Sequence, residues 1–152
     1  ILSARGLVRI SSTVRMGTLM KEAAVMIIIQ DGLILGVSRK NDSTKFGLPG
    51  GKLEPHELPK DAAVRETFEE TGLQVKNAVY LYRRDEVSEN NKIFHTYCYL
   101  ALDWEGTLSS SEEGIARWLT AKELTGMSGA FPEYNMQALN ELKKLKPKLE
   151  LK

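Results

Sequence analysis

The chain of 152 residues is poor in the side chains that usually carry thiol and imidazole chemistry. It contains one cysteine, Cys98, and two histidines, His56 and His95. A single cysteine excludes an internal disulfide and is typical of a reducing compartment, so we expect a cytoplasmic location. Cys98 lies in the strand-like run 97–100 and is interpreted as a core residue. The separation of the two histidines excludes the common zinc-ligand spacings.

Long hydrophobic runs and an excess of one charge sign are also missing. The longest apolar run, Ala23–Ile29, is far shorter than the roughly 20 residues of a membrane helix, so we expect no membrane partner. The net charge is +1. Arginines at 5, 9 and 15 precede residue 20 without any acid, which leaves 18 basic against 20 acidic side chains, a net charge of −2. Such a balance argues against binding to a nucleic-acid polymer.

Two familiar phosphate-binding motifs are absent as well. A P-loop would need glycine at position 46 and serine or threonine at 53, where the chain has Phe46 and Leu53. No G-x-G-x-x-G run occurs either. Any phosphate chemistry must therefore rest on another arrangement.

Residues 1–19 show no helix or strand period and contain arginine and serine but no acid. This composition resembles a transit peptide, yet the chain begins with Ile1 and a strong strand pattern starts directly after Met20. We interpret residues 1–19 as an expression leader or a disordered extension. Translation is expected to start at Met20, or alternatively at Met16. Residues 20–152 are expected to form one domain.

The rest of the chain alternates between strand and helix patterns. Strands are predicted over 23–30, 33–38, 75–83, 94–102 and 114–119, with a hairpin turn at Asp31-Gly32. Helices are predicted over 59–71 and 135–145. A loop is predicted over 41–45, a turn over 47–51 and a solvated tail over 143–152. This mixture predicts an α/β fold, an α/β/α sandwich around a mixed β-sheet.

Each predicted helix has an expected packing surface. In the first helix the packing side chains are Ala62, Ala63, Thr67 and Phe68. In the second helix they are Met136, Leu139, Leu142 and Leu145.

The strongest chemical pattern is an acid cluster, formed by Glu66, Glu69 and Glu70. Spacings of three and four residues put these carboxylates on one face of a helix, where they repel one another. A divalent cation relieves that repulsion, and hard oxygen ligands favour Mg²⁺ or Mn²⁺. A glutamate run alone is more often a solvated helix face. Gly50-Gly51 before the helix and Gly72 at its end favour a functional site here.

The segment 51–73 resembles the Nudix box, the signature of the Nudix hydrolase superfamily. That signature is a glycine, five residues, a glutamate, seven residues, and then R-E-U-x-E-E-x-G-U, where U is a bulky aliphatic residue. The positions that fit are Gly51, Glu57, Arg65, Glu66, Glu69, Glu70, Gly72 and Leu73. Thr67 stands where an aliphatic residue is usual, which is a mild change because its methyl group can pack inward.

The resemblance implies the Nudix fold and hydrolysis of a nucleoside diphosphate linked to another group, with Mg²⁺, or alternatively Mn²⁺, as cofactor. It implies that the acid cluster and the Gly50 carbonyl hold the metal, with Glu66, Glu69 and Arg65 as catalytic residues. Arg65 would pair with Glu57 and orient the cluster. Gly51, Glu57 and Gly72 would give structural support.

One further glutamate is expected to reach the metal from a loop, as ligand or base. Alignment back from Trp118 to the MutT-type pattern favours Glu112 over Glu113, although either residue could simply keep the loop soluble. Lys40 matches a basic residue that meets substrate phosphates in MutT-type enzymes, and a solvated strand end is the alternative.

The segment Phe131-Pro-Glu-Tyr-Asn135 resembles the Phe-Pro-x-x-Asn segment of MutT-type 8-oxo-dGTP pyrophosphohydrolases. There the asparagine amide binds the purine, so Asn135 and Phe131 are expected to bind substrate. Asn135 is equally well placed as a helix N-cap. Phe94, Tyr97 or Phe131 could stack on a base or belong to the core.

The expected activity is therefore a Mg²⁺-dependent, MutT-like pyrophosphohydrolase. It would convert a nucleoside triphosphate, normal or oxidised, into a monophosphate and pyrophosphate. ADP-ribose, a nucleotide sugar or a dinucleoside polyphosphate are alternative substrates. Glu89 and Asn90 stand where the ADP-ribose and dinucleoside types carry proline and tyrosine, which weakly favours triphosphates. A nucleotide-sensing module without catalysis is the alternative of another class.

Overall fold

The computed structural model describes residues 20–87 and 91–152. The interpretation of residues 1–19 and the markers Glu89 and Asn90 lie outside these ranges. The described strands are β1 (Met20–Ile27), β2 (Ile29–Gln30), β3 (Leu33–Arg39), β4 (Asp42–Gly47), β5 (Gly50–Lys52), β6 (Gln74–Val87), β7 (Ile93–Glu105) and β8 (Ala116–Leu119). The described helices are α1 (Pro59–Thr71), α2 (Ala121–Thr125) and α3 (Pro132–Leu145). Among the described residues, no helix is both long and apolar enough to cross a membrane.

The larger sheet is mixed, as predicted. Its strand order is β5-β1-β7-β6. The central strands β1 and β7 run parallel, with Ala24 opposite Tyr97, whereas β5 and β6 pair antiparallel with their neighbours. The parallel pair joins residues more than 70 positions apart, so the centre of the domain depends on long-range pairing.

Helices cover both faces of this sheet. Successive side chains of a strand point to opposite faces, so β1 contributes to the core on each side. Ala24 and Met26 of β1 belong to a buried cluster with Ala62 and Ala63 of α1. Ile27 belongs to a second cluster on the other face, together with buried α3 side chains at positions 138, 139 and 142. The α/β/α sandwich is confirmed.

A second, smaller sheet contains β2, β3 and β4, the strands that directly precede β5 and the acid cluster in the chain. In it β3 pairs antiparallel with β2, β4 and β8. The predicted loop over 41–45 is wrong because β4 forms a hairpin with β3, in which Phe46 is buried opposite Ser38. The predicted turn over 47–51 is shorter than expected, since Gly50–Lys52 pairs with β1 as β5.

The helix α1 has the predicted bounds, but its packing surface is smaller. Ala62, Ala63 and Thr67 are fully buried, whereas Phe68 is 51% exposed. The step from Thr67 to Phe68 turns the side chain about 100° around the helix axis and out of the contact with the sheet. The packing role predicted for Phe68 is therefore wrong.

The helix α3 begins at Pro132, three residues before the predicted start. Its buried residues are Asn135, Ala138, Leu139 and Leu142. Met136 and Leu145 are about half exposed, so the predicted packing surface is wrong at these two positions. The predicted strand over 75–83 is also longer, because β6 extends to Val87.

The C-terminal tail was predicted to be solvated, and this is wrong for its end. The Lys152 amide donates a hydrogen bond of 2.8 Å to the Gly32 carbonyl, and the Ala121 amide donates one of 3.0 Å to the Lys152 carbonyl. Leu149 and Leu151 pack against the core on the α3 side. The backbone of Lys152 thus fastens the tail to the β2–β3 hairpin and to α2, a short helix that the sequence analysis missed, while Leu149 and Leu151 add packing against the core.

Candidate active site

The start of β5 lies against the acidic side of α1. The Gly50 amide donates a hydrogen bond of 3.0 Å to a Glu70 oxygen. A Cβ atom at Gly50 would collide with the Ala24 carbonyl oxygen, and one at Gly51 with the Glu66 carboxylate. Gly50 therefore requires glycine, because its backbone approaches the backbone of β1 directly, whereas a side chain at Gly51 would displace the Glu66 carboxylate.

The helix α1 ends sharply at Gly72, as predicted. Gly72 has φ +79°, and its amide donates a hydrogen bond of 2.9 Å to the Phe68 carbonyl. An added Cβ would lie 2.8 Å from the Thr107 carbonyl oxygen. The left-handed cap and the close neighbour fix the end of α1 at Thr71, one residue after Glu70.

Arg65 is the hub of the polar contacts on α1. Its guanidinium binds both oxygens of Glu57, at 2.8 and 3.0 Å. A further nitrogen contact reaches Glu66 at 2.7 Å and Glu69 at 3.1 Å. The hydrogen bonds from Arg65 lower the pKa of Glu57 to about 2. The predicted pairing of Arg65 with Glu57 is present in the structure.

Glu70 has a different environment from the other acids of the cluster. Burial raises its pKa to about 8, and the neighbouring Glu66 and the charge of Glu113 act in the same direction. The Gly50 amide opposes this shift. In the protein without a cation, Glu70 therefore retains its proton near neutral pH.

The oxygen donors present fit a hard divalent cation whose remaining ligands would come from water and the substrate. Within 20–87 and 91–152, no three His, Cys, Asp or Glu side chains converge as a ready-made metal cage. Glu69 is 53% exposed and bound to Arg65, whereas Glu66 and Glu70 interact directly. Mg²⁺ is commonly held by one or two carboxylates together with water and substrate phosphates. Glu66 and Glu70 supply such a pair.

Of the two loop glutamates, the structure relates Glu113 to the cluster. The charge of Glu113 contributes to the raised pKa of Glu70. The loop is anchored to β3, since the Ile115 amide donates a hydrogen bond of 2.8 Å to the Ser38 hydroxyl. Glu112 and Glu113 are both exposed. The role predicted for Glu112 stays a prediction, and so does the role of the Gly50 carbonyl as a ligand.

A cleft of about 580 Å³ adjoins Gly50 and Gly51. Its walls are largely apolar and come from β1, the loop between β4 and β5, the ends of β6 and β7, and the start of α3. The wall residues are Ala23, Val25, Gly47, Leu48, Lys52, Glu86, Val87, Phe94, Thr96, Phe131, Tyr134 and Asn135. Phe131 and Asn135, both predicted to bind substrate, thus lie at one cleft with the box glycines.

Two predicted substrate contacts do not lie in this cleft. Tyr97 points to the opposite face of the sheet, where its hydroxyl donates a hydrogen bond of 2.8 Å to Glu22. Lys40 is exposed in the turn after β3, and it is not part of the described cleft wall. Its neighbour Arg39 is not part of the described cleft wall either, but its guanidinium lies over the ring of Phe131, which is.

Asn135 is buried, and its amide nitrogen is already engaged. Nδ2 donates hydrogen bonds to the carbonyl oxygens of Leu124, at 2.9 Å, and Phe46, at 3.5 Å. The N-cap interpretation is wrong because Asn135 lies inside the first turns of α3, where Phe131 is the N-cap. With the donor engaged, the amide oxygen is the group left to accept a bond from a ligand.

Comparison with known proteins adds a decisive observation. The family model described as NUDIX domain matches residues 20–139. The chain belongs to the Nudix family. It is 35% identical over 108 residues to the CTP pyrophosphohydrolase of Escherichia coli (strain K12), which covers 68% of this chain and 78% of that protein. It is 33% identical over 94 residues to the 8-oxo-dGTP diphosphatase of Haemophilus influenzae, covering 62% and 67%.

A solved structure agrees with these relatives. The solution structure of the E. coli ORF135 protein has a TM-score of 0.70 and 28% sequence identity, over 86% of this chain and 96% of that one. The protein is therefore a MutT-like Nudix hydrolase. Enzymes of this family act on small-molecule nucleotides and generally use divalent cations.

Proposed function

We propose that this Nudix hydrolase is a Mg²⁺-dependent pyrophosphohydrolase that converts a nucleoside triphosphate into a monophosphate and pyrophosphate. The observation that carries the proposal is the contact between two parts of the site. The carboxylates of Glu66 and Glu70 lie at Gly50 and Gly51 of β5, and the same two residues form the edge of an apolar cleft that reaches Phe131.

This arrangement suits the two ends of a nucleotide. A polyphosphate is repelled by carboxylates unless a cation lies between them, and a bound cation also activates water and polarises phosphoryl oxygens. A base is flat and apolar on its faces, so it suits the wall that contains Phe94 and Phe131. Glu66 and Glu70 would hold the cation, and Arg65 would keep Glu66 in place.

The names of the relatives support a triphosphate as substrate. One relative is called a CTP pyrophosphohydrolase and another an 8-oxo-dGTP diphosphatase. Both names describe attack on a nucleoside triphosphate, although the bases differ. We propose that Asn135 contributes to the choice of base through its amide oxygen, which favours a base edge that presents an N–H group.

The test is a substrate panel with Mg²⁺ and, separately, with a chelator. The panel contains CTP, the four dNTPs, 8-oxo-dGTP, ADP-ribose, a sugar nucleotide and a dinucleoside tetraphosphate. We expect Mg²⁺-dependent release of monophosphate and pyrophosphate from one or more triphosphates. Preference for ADP-ribose, a sugar nucleotide or the tetraphosphate would contradict the triphosphate assignment. Nucleotide binding without any hydrolysis would contradict catalysis and favour a sensing role.

The variant Glu69→Gln tests whether Glu69, one of the predicted metal ligands of the acid cluster, is needed for turnover. Glu69 is more exposed than Glu66 and lies on Arg65. We expect Glu69→Gln to reduce turnover, and Glu105→Gln, which changes an exposed carboxylate on β7 that pairs with Lys76, to leave it unchanged.

A further inference from the structure

Arg39 lies at the end of β3 with its guanidinium over the ring of Phe131. The guanidinium carbon is 4.9 Å from the centre of the ring, which is within the range of a cation–π interaction. Phe131 is 53% exposed and contributes to the wall of the cleft. A register shift between Ser38 and Arg39 accompanies this placement.

Arg39 differs from the other arginines in the described ranges. Arg65, Arg83, Arg84 and Arg117 each form an ion pair with a carboxylate. No such pair within 4.0 Å is found for Arg39 among the residues that the structure describes. Its guanidinium is therefore not neutralised by a directly bonded carboxylate.

The carboxylate opposite Arg39 in the hairpin is that of Asp42. Asp42 is already engaged, because one of its oxygens accepts hydrogen bonds from the Thr44 amide, at 3.0 Å, and hydroxyl, at 2.6 Å. The aromatic ring is thus the close contact that the described structure shows for the Arg39 guanidinium.

The ring of Phe131 also has a close neighbour on the β4 side. A Cβ atom added at Gly47 would lie 3.7 Å from the Phe131 ring, an ordinary van der Waals distance. The ring therefore lies close to Gly47 as well as to the Arg39 guanidinium. Base–aromatic stacking requires a flat aromatic surface of this kind.

We propose that Arg39 is a positioning residue for the base: it holds Phe131 as a stacking surface and makes the ring a stronger partner for a nucleobase. This inference rests on the proposed function, because it concerns the base of the same nucleotide. Arg39 acts through Phe131 and not on the reacting phosphates. Its loss should therefore raise KM with little change in kcat.

The direct test compares two probes by calorimetry. One probe is the α,β-methylene analogue of CTP, with the dGTP analogue in parallel, and the other is inorganic tripolyphosphate, which has no base. We expect Arg39→Ala to weaken binding of the nucleotide analogue about 3- to 10-fold and to leave tripolyphosphate binding unchanged. Arg39→Lys should restore part of the loss, and Arg39→Ala should have no further effect in Phe131→Ala protein.

Two matched controls are available in the chain. Lys40→Ala removes the adjacent positive charge, and Arg117→Ala removes a guanidinium that lies 4.6 Å from the centre of the buried Phe46 ring. Neither change should alter the difference between the two probes. Equal weakening of both probes by Arg39→Ala would show general attraction of anions and would overturn the proposal. A loss specific to the nucleotide analogue with Lys40→Ala, as large as with Arg39→Ala, would show that the effect does not depend on the contact with Phe131 and would overturn it too.

The outcomes also separate this inference from the proposed function. If the wild-type protein neither binds the nucleotide analogues nor cleaves triphosphates, the proposed function fails and the role of Arg39 fails with it. If the wild type binds and cleaves them while Arg39→Ala behaves like the wild type, only the role of Arg39 is wrong. A melting temperature equal to that of the wild type confirms that Arg39→Ala is folded.

Discussion

The acidic half of the site and the cleft beside it are assembled in different ways. The acidic half comes from one continuous segment, in which Arg65 connects Glu57, Glu66 and Glu69 by direct hydrogen bonds. The cleft takes its walls from β1, β7, the start of α3 and the loop before β5, which are distant in sequence. In the proposed function, a local segment would provide the chemistry, whereas the packing of the whole domain would provide the surface that selects the substrate.

The largest expected effect comes from the buried side of the acid cluster. Glu66→Gln and Glu70→Gln each remove a carboxylate from the proposed cation site, and we expect turnover to fall by about 10³-fold or more. Steady-state hydrolysis of the best triphosphate of the panel measures this. Near-normal turnover in either variant would remove that residue from the cation site, and a matching loss in Glu105→Gln would show that the effect is not local.

A smaller effect is expected from the residue that orients the cluster. Arg65→Ala should reduce the affinity for Mg²⁺ or the turnover by about 10- to 100-fold, because Glu66 and Glu57 lose their shared partner. Arg65→Lys should restore only part of the lost affinity or turnover, since an ammonium group cannot reproduce the bidentate contact with Glu57. Arg83→Ala, which breaks an ion pair with Asp85 on β6, is the control. Equal losses in the two alanine variants would contradict the orienting role.

Among the cleft-wall residues, Asn135 is expected to contribute more to the free energy of unfolding than to turnover. Asn135→Leu leaves the buried Leu124 carbonyl without its donor, which costs about 1–3 kcal/mol of the unfolding free energy. Urea denaturation measures this cost, and Asn140→Leu, an exposed position on the same helix, should be close to neutral. A stability equal to that of the wild type would mean that the Nδ2 contact is dispensable for folding and that Asn135 is free to serve the ligand.

The smallest effect concerns pH in the metal-free protein. Because the pKa of Glu70 is raised from 4.5 to about 8, its protonated form favours the folded state, and this contribution is lost as the pH rises from about 5 to 8. We expect the melting temperature of the metal-free protein to fall over that range. The contribution of Glu57 to stability has the opposite pH dependence. Because its pKa is lowered, its ionised form favours the folded state, and this contribution is lost only in acid.

The variant Glu70→Gln should remove most of the pH effect between 5 and 8. A metal-free melting temperature that rises over this range in the wild type would show that Glu70 is ionised. The same variant at pH 5 should be nearly as stable as the wild type, because the wild-type carboxyl group is then neutral.

The two halves also differed in how far they could be predicted. The bounds of α1 and its glycine cap followed from the sequence because they are set by local contacts. The Arg65–Glu57 pair followed from the resemblance to the Nudix box. β4 was missed because its polar residues resemble a loop, and only its pairing with β3 makes it a strand. The burial of Asn135 was missed for a similar reason, since its partners, Phe46 and Leu124, belong to other elements.

The choice between basic neighbours was equally beyond the sequence. Arg39 and Lys40 are adjacent and both exposed, and the local register shift decides which of them lies over Phe131. The site of the extra carboxylate stays a prediction. A linear alignment favours Glu112, and the charge of Glu113 contributes to the raised pKa of Glu70.

The central claim is that Glu66 and Glu70 together form the cation site. Titration of Mg²⁺ into the protein at pH 7, by calorimetry in two buffers with different heats of ionisation, tests it most directly. The account predicts that binding displaces a proton, so the measured heat differs between the buffers in the wild type and not in Glu70→Gln. Mg²⁺ binding of equal affinity in the wild type and in Glu70→Gln, with no proton released, would contradict it.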